Sequence, residues 1–256
     1  MSEAQFLGVP DVNAWLFLGL AAAALVTSFM GAVAGTAGGL ALLAILALFF
    51  TPAVMVPVHA VVQLGASLSR IAIMWRYVMR DILLPFFIGS ALGAALGGKL
   101  FISLPSGIIL GAIGCMIIIL VWLPKLSRLG GAKWRFAFIG GGATFLGVFV
   151  GAVGTLIAPF VAGASPDRRI HAATLAAVMT MVHINKLIAF GLVGVSLTAY
   201  TPLLVAMIAM TALGNWVAIK VLDRMPESLF RIFFKTLITL LGIRLLWVSA
   251  SELGLV

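Results

Sequence analysis

The sequence predicts an all-α polytopic membrane protein, built from two homologous halves in an inverted arrangement, with about 8–10 transmembrane or re-entrant helices. Composition is the first observation: of 256 residues, 63% are hydrophobic and 9% are charged. Soluble domains carry about a quarter charged residues. Several apolar runs reach the roughly 20 residues that a helix needs to cross a bilayer. They do not alternate apolar and polar residues as the strands of a membrane barrel do, so we expect helices.

An internal repeat is the second observation. Three glycines are followed 116 positions later by three others: Gly31, Gly35 and Gly38 by Gly147, Gly151 and Gly154. A second set recurs 121 positions later: Ala91-Leu92-Gly93, Lys99 and Pro105 as Ala212-Leu213-Gly214, Lys220 and Pro226. Two sets of features at nearly one offset indicate a duplicated membrane unit. We therefore expect a first membrane repeat over 1–123, a cytoplasmic linker over 124–135 and a second repeat over 136–256.

Hydropathy locates the elements of each half. The candidate spans lie at about 13–35, 38–56, 54–74, 82–101, 106–123, 136–154, 170–194, 202–221 and 229–249. The piece 38–56 is either a full span or a shorter re-entrant segment. Its counterpart at 155–164 is too short to cross the bilayer unaided.

The net charge of +9 reports orientation, because most Lys and Arg residues lie in short loops between spans. The linker 124–135 and the loop 75–81 are therefore expected inside, and the uncharged loop 195–201 and the acidic N-terminus outside, in the periplasm. An odd number of crossings must then separate the linker from 195–201. Each half has five elements on this count, and the halves are inverted. Four spans plus a re-entrant piece per half, with parallel halves, is the alternative.

Acidic residues are absent from the predicted spans. All seven lie in termini or loops, whereas a cation carrier or proton pump usually keeps a carboxylate within the membrane. The ionisable residues within or near the spans are all basic: His59, Arg70, Lys99, His171, His183, Lys186 and Arg244. A membrane interior that carries only basic groups indicates an anionic substrate.

Two predicted helices carry polar stripes. His59, Gln63, Ser67 and Arg70 fall within roughly 80° of one another on a helix. In the second half, His183 and Lys186 are three residues apart and share a face. Burial of Arg or Lys in hydrocarbon costs about 2.5–3.5 kcal/mol, so these stripes should face the bundle interior or a watery cavity. The structural alternative is that Arg70 and Lys186 sit near the interface and extend towards lipid phosphates.

The glycine clusters also have two interpretations. Small residues four apart let helices pack closely, and this alone explains most such spacings. Gly38-Gly39 and Gly154-Thr155 could in addition break their helices near the membrane midplane. Backbone N–H groups at such breaks would be free to bind an anion. Asn215 and Trp216 could line the same cavity.

The sequence shows no constellation that would indicate an enzyme. It has no Cys/His metal spacing, no nucleotide-binding loop, no nucleophile elbow and no paired carboxylates. The lone cysteine, Cys115, excludes an intramolecular disulfide. We expect no cofactor and no nucleic-acid partner, and transport that is secondary or passive.

Three segments together resemble the TauE/SafE family of sulfite exporters and related permeases. They are the G-x-x-x-G-x-x-G-G cluster, the helix from His59 to Arg70, and Ala172-Ala173-Thr174 with His183-x-x-Lys186-Leu-Ile-Ala-Phe-Gly. The resemblance covers nearly the whole chain. It implies secondary transport of small sulfur-containing anions, such as sulfite or organosulfonates, across the bacterial inner membrane.

Our leading hypothesis is a permease for such an anion, with Arg70 and Lys186 supplying charge. The predicted substrate-binding residues are Gly35, Thr36, Gly38, Gly39, His59, Gln63, Ser67, Arg70, Gly151, Gly154, Thr155, Thr174, His183, Lys186 and Asn215. An uncoupled anion channel and a non-transporting assembly component are the alternatives. The expected partners are the anion and the lipid bilayer, and a homodimer is left open.

Overall fold

A computed structural model describes residues 5–34, 37–122, 134–151, 153–164, 167–221 and 227–255. Within these ranges the chain forms ten α-helices and no strand. The first half supplies α1 (Ala14–Ala34), α2 (Ala37–Leu46), α3 (Pro52–Met74), α4 (Leu83–Phe101) and α5 (Ser106–Trp122). The second half supplies α6 (Arg135–Val150), α7 (Gly154–Ala164), α8 (Arg168–Leu192), α9 (Thr201–Val221) and α10 (Glu227–Glu252). The prediction of an all-helical protein is confirmed.

Among the described residues, five helices are long and apolar enough to cross a membrane: α1, α3, α4, α8 and α9. The two short helices differ from them. With 10 and 11 residues, α2 and α7 are about 15–17 Å long, against about 30 Å of hydrocarbon. Of the two alternatives for the apolar piece 38–56, a full span or a shorter segment, the structure has the shorter one. Its helix ends at Leu46, and α3 begins at Pro52.

Local chemistry accounts for several helix ends. The side chain of Asp167 caps α8 by accepting hydrogen bonds from the backbone N–H groups of Arg169 and Ile170, at 2.7 and 3.1 Å. Pro52 occupies the first turn of α3, where its missing N–H is not needed. Gly151 ends α6 with a φ of +80°, a left-handed conformation that glycine adopts without the steric cost other residues meet.

Glycines allow α4 and α6 to pack with their backbones in contact. A Cβ on Gly89 would meet the backbone of Ala137, one on Gly93 that of Gly141, and one on Gly97 the carbonyl of Phe145. The facing residues advance together along both helices, so α4 and α6 are parallel. In the same way, Gly214 of α9 faces the carbonyl of Leu25 in α1.

The other contacts fix further helix directions. Gly65 meets Ile208 and Ser69 meets Asn215, so α3 and α9 are parallel. His59 lies beside His183, whereas Met79, just after α3, bonds Thr174 near the start of α8. The helices α3 and α8 are therefore antiparallel.

The remaining pairs complete the arrangement of helix directions. α4 and α8 are parallel, since Ser90 meets Asn185 and Gly98 meets Ala189. The third helices of the two halves, α3 and α8, therefore run in opposite directions, and so do the fourth helices, α4 and α9. This pattern is consistent with the expected inversion of the halves. It places α3 and α8 at the centre, between α9 on one side and α4 on the other.

Candidate functional site

A cavity of about 50 Å³ lies where α1, α2, α3, α7 and α8 meet. A water needs about 10–15 Å³ on this measure, so the space suits a ligand of a few heavy atoms. The lining residues are Thr27, Ser28, Gly31, Gly38, Gly39, Gln63, Ala66, Ser67, Arg70, Gly154, Leu175, Ala176, Met179 and His183. Both halves of the chain contribute to it.

Both short helices begin at this cavity. Gly38 and Gly39 lie in the first turn of α2, and Gly154 is the first residue of α7. The first N–H groups of a helix have no acceptor within the helix, and the helix dipole places partial positive charge there. A Cβ on Gly38 would overlap the carbonyl oxygen of Thr27 and the backbone of Gly31. Glycine is therefore required for α2 to begin so close to α1.

Arg70 supplies the positive charge of the cavity. One of its terminal nitrogens lies 4.0 Å from the position that a Cβ on Gly31 would take. Its Nε is buried and has no hydrogen-bond partner among the described residues. The five helices around the cavity contain no Asp or Glu. The side chain of Arg70 as a whole is only partly exposed, so this arrangement favours an anion that enters the cavity as the counter-charge.

His183 of α8 also lines the cavity and is 1% exposed. Within the described part of the chain, neither of its ring nitrogens has a hydrogen-bond partner. Its ring centroid lies 6.3 Å from that of His59. His59 is fully buried behind the cavity, and its Nε2 donates to the carbonyl of Gly39 over 2.9 Å. This bond ties the start of α2 to α3.

Lys186 lies one turn beyond His183, outside the cavity lining. Its side chain is fully buried, and its Nζ donates to the carbonyl oxygen of Gly151 over 3.1 Å. The lysine therefore holds the end of α6 where the chain turns into α7. It does not reach the cavity in this conformation.

The structure places four other predicted site residues away from the lining: Gly151, whose carbonyl accepts from Lys186, and Thr174, Asn215 and Thr155. Thr174 accepts a hydrogen bond from the backbone N–H of Met79 over 3.0 Å, which ties the segment after α3 to α8. Asn215 donates to the hydroxyl of Ser69 over 3.2 Å, between α9 and α3. Thr155 has a buried hydroxyl with no partner among the described residues. The predicted residues Gly35 and Thr36 lie outside the described residues.

Trp216, which we expected near the cavity, is 54% exposed, and Lys220 Nζ lies 3.4 Å from its ring centroid. Its neighbour Asn215 points into the α3 interface instead, since consecutive residues of a helix face different directions.

Sequence reasoning missed the contribution of α1. Thr27 and Ser28 line the cavity one turn before Gly31, and they are the only hydroxyl residues of α1. Their hydroxyls donate to carbonyls, that of Thr27 to Ala23 over 2.7 Å and that of Ser28 to Thr211 over 3.0 Å. Two hydroxyl residues in an otherwise apolar helix, directly ahead of a glycine cluster, were the available signal.

A family model described as "Sulfite exporter TauE/SafE" matches residues 20–245, which is most of the chain and includes every residue that lines the cavity. No curated protein and no solved structure matches the sequence. The match spans both halves, and the chain belongs to the sulfite exporter TauE/SafE family.

Proposed function

We propose that the protein is a secondary transporter of a small sulfur-containing anion, sulfite or an organosulfonate, across the bacterial inner membrane. Its N-terminus would lie on the periplasmic side. One observation carries the proposal: Arg70 lines a cavity at which two helices begin, and the surrounding helices contain no carboxylate.

Family membership supports the general class of this function. The TauE/SafE family implies a membrane transport protein for sulfur anions, and the five candidate spans fit a multi-pass membrane protein. Beyond this class, we propose the substrate, the location in the bacterial inner membrane and the orientation of the N-terminus.

The cavity offers the donors that an oxyanion needs. The guanidinium of Arg70 carries a planar set of N–H groups that match two oxygens of one anion. The start of α2, at Gly38 and Gly39, and the start of α7, at Gly154, add backbone N–H groups. Gln63 and Ser67 add an amide and a hydroxyl.

Size favours the smaller members of the substrate class. Sulfite has four heavy atoms, and a cavity of about 50 Å³ holds roughly three to five waters. An organosulfonate with a longer carbon chain would need Met179 or Leu175 to move aside.

The test is thermal unfolding of the purified protein with sulfite, sulfate, thiosulfate, taurine, sulfoacetate, acetate and phosphate at constant ionic strength. A ligand at 100 times its Kd adds about 2.7 kcal/mol of stability, which is visible as a higher Tm. We expect sulfite or one sulfonate to raise the Tm of the wild type and to raise that of Arg70→Gln by clearly less. Arg76→Gln, at an exposed arginine just after α3, is the matched control and should keep the shift.

Transport in liposomes separates a coupled carrier from an uncoupled channel. A carrier would accumulate the anion against its gradient when a second gradient is imposed. Flux that only follows the anion's own electrochemical gradient would favour the channel. No Tm shift with any anion, together with unchanged flux in Arg70→Gln, would contradict the proposed site.

A further inference from the structure

Lys186 is a buried basic residue that does not line the cavity. It is 0% exposed, and the one hydrogen-bond partner of its Nζ among the described residues is the carbonyl of Gly151. An ammonium has three donors, so two remain after this bond. The helices that pack on α8, namely α3, α4, α6 and α7, contain no carboxylate. A fully buried lysine with a single neutral acceptor is costly unless it serves another state of the protein.

Lys186 also has a counterpart in the first half. It lies 116 positions after Arg70, the same offset that relates Gly31 to Gly147 and Gly38 to Gly154. Arg70 lies beside Gly31 and lines the cavity with Gly38. The residues equivalent to this trio are Lys186, Gly147 and Gly154.

The equivalent residues in the second half are arranged differently. A Cβ on Gly147 would meet the side chain of Val153 at 3.2 Å, whereas one on Gly31 would meet the backbone of Gly38 at 3.3 Å, with a terminal nitrogen of Arg70 at 4.0 Å. Of the trio, Gly154 alone reaches the cavity. One half therefore presents its cation to the cavity while the other half keeps its cation bound to its own backbone.

We infer that Lys186 is the second anion-contacting residue of transport, and that it replaces Arg70 when the site opens to the opposite side of the membrane. This inference rests on the proposed function. In inverted repeats the two halves exchange conformations between the two open states, so equivalent residues exchange their surroundings. Lys186 then leaves Gly151 and faces the anion beside Gly154, while the cavity around Arg70 closes.

Sulfite flux measured from each side of the membrane tests this inference. Right-side-out and inverted vesicles give a separate KM for each side. Loss of one charge-assisted contact weakens binding by about tenfold to hundredfold. We expect Arg70→Gln to raise the KM by this factor on one side, and Lys186→Gln to raise it on the other side, each sparing the opposite side to within about twofold. Lys99→Gln, at an exposed lysine of α4, is the control and should change neither KM.

Three results would overturn the inference. If both substitutions raise the KM on the same side, the two cations contact the anion together. If Lys186→Gln changes neither side, the lysine is not a contact. If it changes both sides equally and lowers the Tm, the lysine only supports the turn at Gly151.

A charge-conserving exchange keeps the test informative if Lys186→Gln does not fold. The double variant Arg70→Lys with Lys186→Arg retains both cations, and we expect the KM values of the two sides to be exchanged. Unchanged KM values would refute the inference. The proposed function fails separately, through sulfite binding and flux that are unaffected by Arg70→Gln.

Discussion

The hydroxyl of Ser28 donates a hydrogen bond to the backbone carbonyl of Thr211 over 3.0 Å, and the equivalent positions of α6 and α4 are joined by a hydrogen bond as well. There the hydroxyl of Thr144 donates to that of Ser90 over 2.8 Å, and both bonds are buried. Thr144 lies 116 positions after Ser28, and Thr211 lies 121 positions after Ser90. The first helix of each half is thus joined to the fourth helix of the other half.

Gly214→Ala should destabilise the protein by about 1–3 kcal/mol, because a Cβ there would overlap the hydroxyl of Ser28 and the carbonyl of Leu25. Backbone cannot move aside as a flexible side chain can. Thermal unfolding in detergent measures the effect. Gly142→Ala is the control, since a Cβ on this glycine of α6 would meet nothing within 4 Å. Equal Tm values for the two variants would show that the α1–α9 contact is looser than described.

Gly151→Ala should cost about 1–2 kcal/mol from its positive φ alone. The added methyl would also press on the side chain of Leu43 in α2. We expect a lower Tm without ligand and a weakened bond from Lys186 to the carbonyl of residue 151. Gly191→Ala, at an open helical position of α8, is the comparison. A wild-type Tm for Gly151→Ala would mean that the end of α6 can rearrange freely.

Thr174→Val should lower stability and leave sulfite affinity unchanged. The substitution keeps the shape of the side chain but removes the acceptor for the N–H of Met79, at a cost of about 1 kcal/mol or more. The Tm without ligand and the ligand-induced shift in Tm report the two effects separately. A lost shift with an unchanged Tm would instead make Thr174 a substrate contact, as the sequence had led us to expect.

Met179→Ala should relax the size limit of the cavity, because it removes three heavy atoms from the lining. We expect sulfoacetate to gain affinity relative to sulfite. Removing the methylene and thioether groups makes room for a carbon chain and takes no polar donor away. Met181→Ala, two residues on and outside the lining, is the control. If both variants keep the wild-type preference, the cavity does not select by size.

The helix boundaries were largely predictable from sequence. Apolar runs end at charged or proline-containing loops, so α4, predicted at 82–101, is found at Leu83–Phe101. The end of α2 was not predictable in this way. Residues 47–50 are as apolar as α2 itself, so hydropathy does not mark the end of the helix, and Thr51-Pro52 marks only the start of α3.

The candidate site was predictable only in part. Helical spacing placed Gln63, Ser67 and Arg70 on one face, and all three line the cavity. The same argument put His183 and Lys186 on one face, but the cavity ends between them. The neighbouring helix decides how far along a face the cavity extends. Here the end of α6, at Gly151, covers the part of the α8 face that carries Lys186. Periodicity within one helix carries no information on that contact.

The packing of each half's first helix on the fourth helix of the other half has a consequence for synthesis and membrane insertion. α1 packs chiefly on α9, which leaves the ribosome more than 160 residues after α1 is complete. Until then, the surface of α1 around Ser28 has no α9 to pack against and must face lipid or an insertion factor. The first half is therefore not a self-sufficient folding unit, and a nascent chain cut before Thr201 would expose an unfinished surface that quality-control proteases can recognise.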